Sequence, residues 1–351
     1  MKIALINDTH FGVRADSQVF IDYQLKFLDD VFFPYLEKNN IDTLIHLGDL
    51  LDRRKYVNFH TLKSVREAFV NRLGDMNIDT HIIIGNHDTY FKNTNDLNSV
   101  QELFTTFDGK NEPWIYSECK TVNFDGLDIA FIPWITKENH KDVVEFIKHT
   151  TAPIAMGHFE LSGFQVIRGY NFDGGFDSKI LKKFEMVLSG HFHIKHNKDN
   201  VYYLGTPYQM TYADLNERKG FHVFDTETRT FEFIENPHQM FFSIDYDDNS
   251  TDYTSTDYDV SQYENGYLKI FIKNKTSSRH FDRFLDRLYD ARVTDITIIE
   301  EVEDDKQIEV ADLAQDTITL INEEIDSYDD VDDPSRLKKL IRELHSESLS
   351  I

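Results

Sequence analysis

Cysteine is nearly absent from this chain. There is one in 351 residues, Cys119, so no disulfide framework holds the fold, which fits a reducing compartment. There is also no stretch of 18 uncharged apolar residues, so no membrane-crossing helix is expected. The first strand-like run begins at Lys2, so no signal or transit peptide is expected. Together these absences point to a cytoplasmic protein with no membrane partner. Positive charge is scarce as well: 37 Lys and Arg stand against 62 Asp and Glu, a formal net charge of −25. That balance weighs against tight stand-alone binding to nucleic acid. Core-forming residues are plentiful, at 40% hydrophobic and 13% aromatic, and the length suits two or three compact units.

The charge is unevenly spread. Residues 301–351 hold 16 acidic and 5 basic residues, a net of −11, so nearly half of the excess lies in the last segment. Residues 267–292 run the other way, with seven Lys or Arg and three Asp, a net of +4.

Five short motifs occur in a fixed order: Asp8-Thr9-His10, Gly48-Asp49, Gly85-Asn86-His87-Asp88, Gly157-His158 and Gly190-His191-Phe192-His193. Each follows a run of strand formers, such as Ile3-Ala4-Leu5-Ile6 or His81-Ile82-Ile83-Ile84. Polar residues at the carboxyl ends of strands in an α/β sheet converge on one edge. Seven candidate ligands (Asp8, His10, Asp49, Asn86, His158, His191 and His193) form an oxygen and imidazole set without thiolate, suited to Mn²⁺, Fe²⁺ or Zn²⁺. Seven are too many for one tetrahedral ion and about right for two ions sharing a carboxylate. Two ions roughly 3.5–4 Å apart are a standard device for phosphate-ester hydrolysis, supplying hydroxide at neutral pH and neutralising phosphoryl charge. Most other histidines, such as His60, His222 and His280, have no such context and read as structural. His46 reads as a buried, hydrogen-bonded histidine, and Asp52 as a residue supporting the site or capping a turn.

The ordered set resembles the signature of the calcineurin-like metallophosphoesterases over about the first 235 residues. That resemblance implies an α/β fold, a four-layer αββα sandwich, with a small C-terminal α+β capping domain and terminal helices. It implies that Asp8, His10 and His193 hold one metal, that Asn86, His158 and His191 hold the other, and that Asp49 bridges them. Mn²⁺ is the expected ion, with Mg²⁺ as another divalent choice. His87 would act on the scissile phosphate as a catalytic group, and Asp88 would orient it. Several further segments resemble one branch of the superfamily, the SbcD-like nuclease subunits of double-strand-break repair complexes. They are Asp8-Thr9-His10-Phe11-Gly12, Gly157-His158-Phe159-Glu160-Leu161, Gly205-Thr206-Pro207 and Phe221-His222-Val223-Phe224-Asp225. The shorter recombination nucleases of tailed phages match best in length.

The expected organisation is a nuclease domain over 1–240, a capping and DNA-contact domain over 241–305 with an acidic linker at 246–262, and a helical partner-binding segment over 306–351. Helices are expected at 18–38, 60–73, 139–149 and 278–291, with hairpins at 121–134 and 221–234. Arg14, Arg53, Arg54 and Lys55 follow the first two motifs and are candidate phosphate contacts. Arg279, Arg283 and Arg287 recur every four residues and form one helical stripe. Its bland reading is an ion-paired face with Asp282, Asp286 and Asp290. Near the end, Leu337, Leu340, Ile341 and Leu344 give a helix one apolar face. In the resembling branch such a helix grips an SbcC-like ABC-type ATPase, and a homodimer is also expected. The resulting expectation is a metal-dependent DNA nuclease, the catalytic subunit of an ATPase–nuclease complex. The alternatives are a phosphatase or phosphodiesterase of small substrates, and a non-catalytic assembly subunit.

Overall fold

A computed structural model describes residues 1–104, 112–300 and Lys338 of the protein. The chain forms two compact units. One comprises Met1–Met210 and Asn216–Gln239; the other comprises Thr211–Leu215 and the described part of Met240–Ile351.

The first unit contains two six-stranded sheets. In one, β1 (Lys2–Ile6), β2 (Thr43–His46), β3 (Asp79–Ile83) and β4 (Trp114–Tyr116) run parallel, and the hairpin β13 (Gly220–Asp225) and β14 (Thr230–Glu235) adds antiparallel strands beside β1. In the other, β6 (Leu127–Ile132), β7 (Ile154–His158), β10 (Met186–Gly190) and β12 (Val201–Tyr203) are parallel, with β5 (Lys120–Phe124) and β11 (His196–Lys198) antiparallel at the edges. A small hairpin, β8 (Gln165–Ile167) and β9 (Tyr170–Asn171), lies outside both sheets.

Side-chain alternation along the strands builds the layers. Ile3, Leu5, Ile45 and Ile83 of one sheet meet Ile129, Phe131, Ile154 and Met156 of the other in a shared core. The intervening residues Ala130, Ile132, Ala155 and Val187 face away and pack with Val143 and Ile147 of the helix His140–His149. On the far side of the first sheet, Phe27 and Phe32 of the helical segment 18–39 stack edge-on against Phe221 of β13. The α/β sandwich has four layers, as the resemblance implies.

The expected helices are present at 18–39, 59–75, 140–149 and 278–290. Two contain a π-type turn the sequence did not announce, at Leu28–Phe32 and Arg66–Val70. In the first, the Phe33 N–H donates to the Leu28 carbonyl, and the next residue is Pro34, which has no N–H to give. Both hairpins are present. Asp125 and Gly126 take φ of 52° and 87°, as a type I′ turn between twisted strands requires.

The second unit has a three-stranded parallel sheet, β15 (Phe241–Asp247), β16 (Tyr267–Asn274) and β17 (Asp295–Glu300), in the order β15-β16-β17. The helix Ser278–Asp290 packs Phe281, Phe284 and Leu288 onto Ile244, Leu268 and Ile270. Two expectations need correction here. Residues 246–262 are no linker: 246 and 247 finish β15, and Tyr253, Tyr258 and Tyr263 from the following excursion join the core beside Tyr246 and Phe284. Thr211–Leu215, expected within the first domain, belongs to this unit because Tyr212 stacks on Phe241 at 4.6 Å with the Lys269 ammonium 3.8 Å from its ring. No helix among the described residues is long and apolar enough to cross a membrane. The partner-binding segment 306–351, with Leu337, Leu340, Ile341 and Leu344, lies outside the described residues apart from Lys338.

Candidate metal centre

The strand order explains the site. The five motifs lie at or just beyond the carboxyl ends of β1, β2, β3, β7 and β10. Four of the candidate ligands sit in left-handed backbone: Asp8 (φ 49°), His10 (39°), Asp49 (57°) and His191 (88°). Each such residue costs about 1–3 kcal/mol and persists where the surroundings over-determine it. Gly48, at φ 99°, has no room for a side chain, because a Cβ there would lie 2.6 Å from His158 Nδ1.

Seven expected ligands converge. Asp8, His10 and His193 each offer an atom within 4.8 Å of the others, and so do Asp49, His158 and His191. Asn86 Oδ1 joins the second group, 2.9 Å from both His158 Nε2 and His191 Nδ1. Asp49 stands between the groups. Its Oδ2 lies 3.6 Å from His10 Nε2 and 3.3 Å from His158 Nε2, while its Oδ1 accepts the His87 N–H at 2.7 Å. One oxygen therefore faces both groups and the other fixes a loop.

The donor chemistry calls for a cation. His158 Nδ1 donates to the Leu47 carbonyl at 2.8 Å. In the neutral ring, that turns the Nε2 lone pair toward two acceptors, Asn86 Oδ1 and the Asp49 carboxylate. Such a contact is relieved only by a proton or a metal. The electrostatics of the metal-free cluster favour the proton. Burial opposes charge on His158, yet the Asp49 and Asp8 carboxylates raise it to about 9. His10 behaves alike. Both its ring nitrogens are buried without a hydrogen bond, and Nε2 is 3.8 Å from Asp8 Oδ1. Burial again opposes charge, but the Asp52, Asp8 and Asp49 carboxylates around it hold it well above the usual histidine range. The acids respond in kind. Burial would raise Asp8 and Asp49, but the histidines around them hold both well below the carboxylate range. A buried imidazole whose nitrogens face ionised carboxylates without a hydrogen bond fits a divalent ion, so these His and Asp groups could hold metal.

His87 lies at the rim of this cluster, half-buried, with its ring edge-on to His10 at 4.7 Å. Its Nδ1 donates to the Asp52 carbonyl at 2.5 Å, which leaves Nε2 as the nitrogen that can gain or lose a proton. Asp88 does not orient it, contrary to expectation. The Asp88 carboxylate is buried and accepts the N–H groups of Asp49, Leu50 and Gly85 at 2.8, 2.9 and 2.9 Å. Its side chain points inward and ties two motif loops together. Burial and the Asp49 charge raise Asp88 to about 6. Asp52 does support the site, with Oδ1 3.4 Å from His10 Nδ1. His46 is the buried histidine the pattern suggests: it bonds Thr9 Oγ1 at 3.0 Å, and burial lowers it to about 3.

Several supporting residues were missed. Gln24, on the buried face of its helix, donates to the carbonyls of Thr9 and His10 at 3.0 and 3.2 Å; a polar residue on an otherwise aromatic stripe was the available signal. Trp134, two residues past β6, stacks against His191 and His158 at 5.1 and 5.9 Å. Glu160 sits 3.7 Å from His191 Nε2. Asn7 links the Asp8 carboxylate to the Gly205 carbonyl, which ties the Gly205-Thr206-Pro207 turn to the first motif.

The candidate phosphate contacts divide. Arg14 donates to the Met210 carbonyl at 3.1 Å. Arg53 bonds the Tyr56 hydroxyl at 2.5 Å and pairs with Asp16 at 3.7 Å. Arg54 is half-buried, and the Lys55 ammonium lies 5.9 Å from the Tyr90 ring. Arg279 and Arg283 are exposed on their helix. Arg287 leaves the stripe, because its guanidinium donates to the carbonyls of Tyr253 and Tyr258 within the second unit.

Residues 1–195 match the family model of the calcineurin-like phosphoesterases. The chain is 33% identical to exonuclease subunit 1 of Enterobacteria phage T4 over 342 residues, 96% of this chain and 95% of that protein. It is 26% identical to the DNA double-strand break repair protein Mre11 of Sulfurisphaera tokodaii over 202 residues, 55% of this chain and 49% of that protein. Among solved structures, an archaeal phosphodiesterase aligns with a TM-score of 0.35 and 17% identity, covering 67% of this chain and 100% of its own. A histidine and aspartate cluster at the strand ends of a double-sheet core, and a match that includes every one of those strands, lead to one assignment: this chain belongs to the calcineurin-like phosphoesterase family.

Proposed function

We propose that this protein is a metal-dependent DNA nuclease that hydrolyses phosphodiester bonds, and that it works as the catalytic subunit of a complex with an SbcC-like ABC-type ATPase. The observation that carries the chemistry is the Asp49 carboxylate facing two ligand groups through one oxygen. The relatives support DNA as the substrate: one is named an exonuclease subunit, along nearly the whole of both chains, and another a double-strand break repair protein. The word "subunit" in the first name supports a partner.

Asp8, His10, His193 and Asp49 would hold one ion, and Asn86, His158, His191 and Asp49 the other. Divalent ions there, Mn²⁺ by the family resemblance, would neutralise phosphoryl charge and supply a nucleophile from water at neutral pH. The protein's own residues do the rest. Asp52 fixes the His87 ring through its carbonyl, so that Nε2 can hand a proton to the leaving oxygen. Asp88 keeps the second and third motif loops in register.

The test is cleavage of end-labelled linear and closed circular DNA with Mn²⁺, with and without Asp49→Ala, beside p-nitrophenyl phosphate esters. Metal-dependent DNA degradation lost in Asp49→Ala is the expected result. Turnover of the esters with DNA left intact, even with the ATPase partner added, would overturn the DNA reading in favour of a small-substrate phosphodiesterase.

A further inference from the structure

Half of the large hydrophobic side chains exposed among the described residues lie between positions 56 and 97: Tyr56 (64% exposed), Phe59 (86%), Phe91 (44%) and Leu97 (37%). Tyr56, Phe91 and Leu97 belong to the two loops that leave the second and third motifs, and Phe59 opens the helix Phe59–Val65 that follows the first of them. The loops are joined beside the metal centre, since the Asp52 carbonyl holds His87 Nδ1 and the Lys55 ammonium sits over the Tyr90 ring. Aromatic rings and cations meet at the join. The Arg53 guanidinium lies 4.8 Å from the Tyr56 ring centre, and Tyr90 and Phe91 pack edge to face at 4.7 Å. Residues 53–60 contain no acid and 89–98 contain one, Asp96. In a chain of net charge −25, this surface carries more basic than acidic residues, with Arg53 paired to Asp16; the Tyr56, Phe59 and Phe91 rings are turned to solvent and Tyr90 is half-buried beside them.

We propose that Tyr56, Tyr90 and Phe91 form a stacking platform for unpaired nucleobases next to the scissile phosphate. Rings flanked by cations bind single strands without sequence preference, because every base has a π face and every nucleotide a phosphate. A base inside an intact duplex presents no free face. The platform therefore takes the unpaired part of a strand, and a duplex must fray to reach it. The basic loop supplies the charge complementarity, and His87 supplies continuity with the site. The inference rests on the DNA reading above.

The test is fluorescence anisotropy with a labelled single-stranded oligonucleotide and the same oligonucleotide carrying consecutive abasic sites, measured in chelator so that nothing is cut. The wild-type chain binds the base-bearing strand more tightly, by about tenfold per stacked base. Tyr56→Ala with Phe91→Ala loses most of that ratio, and Tyr56→Trp keeps it. Equal binding of the two strands by a wild-type chain that cleaves DNA in Mn²⁺ overturns the platform and leaves the DNA reading intact. A wild-type chain that hydrolyses small diesters but neither binds nor cuts DNA overturns the DNA reading and the platform with it. Sedimentation velocity checks the other occupant of an aromatic surface: a wild-type dimer that Tyr56→Ala converts to monomer makes these rings a subunit contact and overturns the proposal.

Discussion

A buried carboxylate that accepts three main-chain N–H groups is a clamp, and Asp88 holds the turn at Gly85 against the turn at Asp49 and Leu50. Asp88→Asn puts an amide donor where an acceptor is needed. It is expected to lower stability by about 1.5–3 kcal/mol, read from urea unfolding, and to weaken Mn²⁺ binding by calorimetry. An unchanged stability with a shifted pH–rate profile would instead restore the role that sequence adjacency suggests. His87→Ala should behave oppositely. Its ring hangs from the Asp52 carbonyl at the edge of the cluster, so metal binding stays close to wild type while cleavage falls by about 10²–10⁴-fold. Loss of metal in that variant would reassign His87 as a ligand. The residues that converge on the cluster were legible in sequence because their types and their order at strand ends are what the family resemblance rests on. The partners of Asp88 and His87 were not, because a turn's side-chain directions depend on dihedrals that residue names do not encode.

Strands and helices were legible where periodicity and burial coincide. β1, β3 and β10 are apolar runs ending in a motif, and the helix at 140–149 turns only Val143 and Ile147 fully inward. The excursion after β15 shows where that reading stops. Its tyrosines alternate with Asp248, Asp252, Asp257 and Asp259, so composition resembles a solvated linker, yet Tyr253 and Tyr263 are buried. Arg287 is what fastens it, through the Tyr253 and Tyr258 carbonyls. Arg287→Ala is therefore expected to open 248–263 to limited proteolysis and to cost about 1.5–3 kcal/mol in the second unit. Arg283→Ala, one turn away and exposed, should leave the protease pattern unchanged. Equal patterns in the two variants would mean that the tyrosine packing alone holds the excursion.

For the whole molecule, metal and protons compete for the same cluster. Without metal, His158 titrates at about 9, raised by the Asp49 and Asp8 carboxylates against the pull of burial, and His10 also lies well above its ordinary value. A histidine raised in this way adds stability to the metal-free protein that is complete below about pH 6.5, its unfolded value, and is lost as pH rises through about 9. Metal requires the neutral rings, so its binding releases those protons and strengthens as pH rises. The two contributions therefore run in opposite directions between pH 6.5 and 9. Stabilisation by Mn²⁺ follows RT ln(1 + [L]/Kd), about 2.7 kcal/mol at a hundredfold excess over Kd. The shift in Tm on adding Mn²⁺ should grow steadily across that window, while the metal-free Tm declines. Calorimetry in buffers of different ionisation enthalpy should show net proton release near neutral pH, shrinking toward pH 9. A metal-induced shift that is flat with pH, with no protons released, would mean that His10 and His158 are neutral before metal arrives and that the carboxylates around them are held close together without a proton to offset their charge.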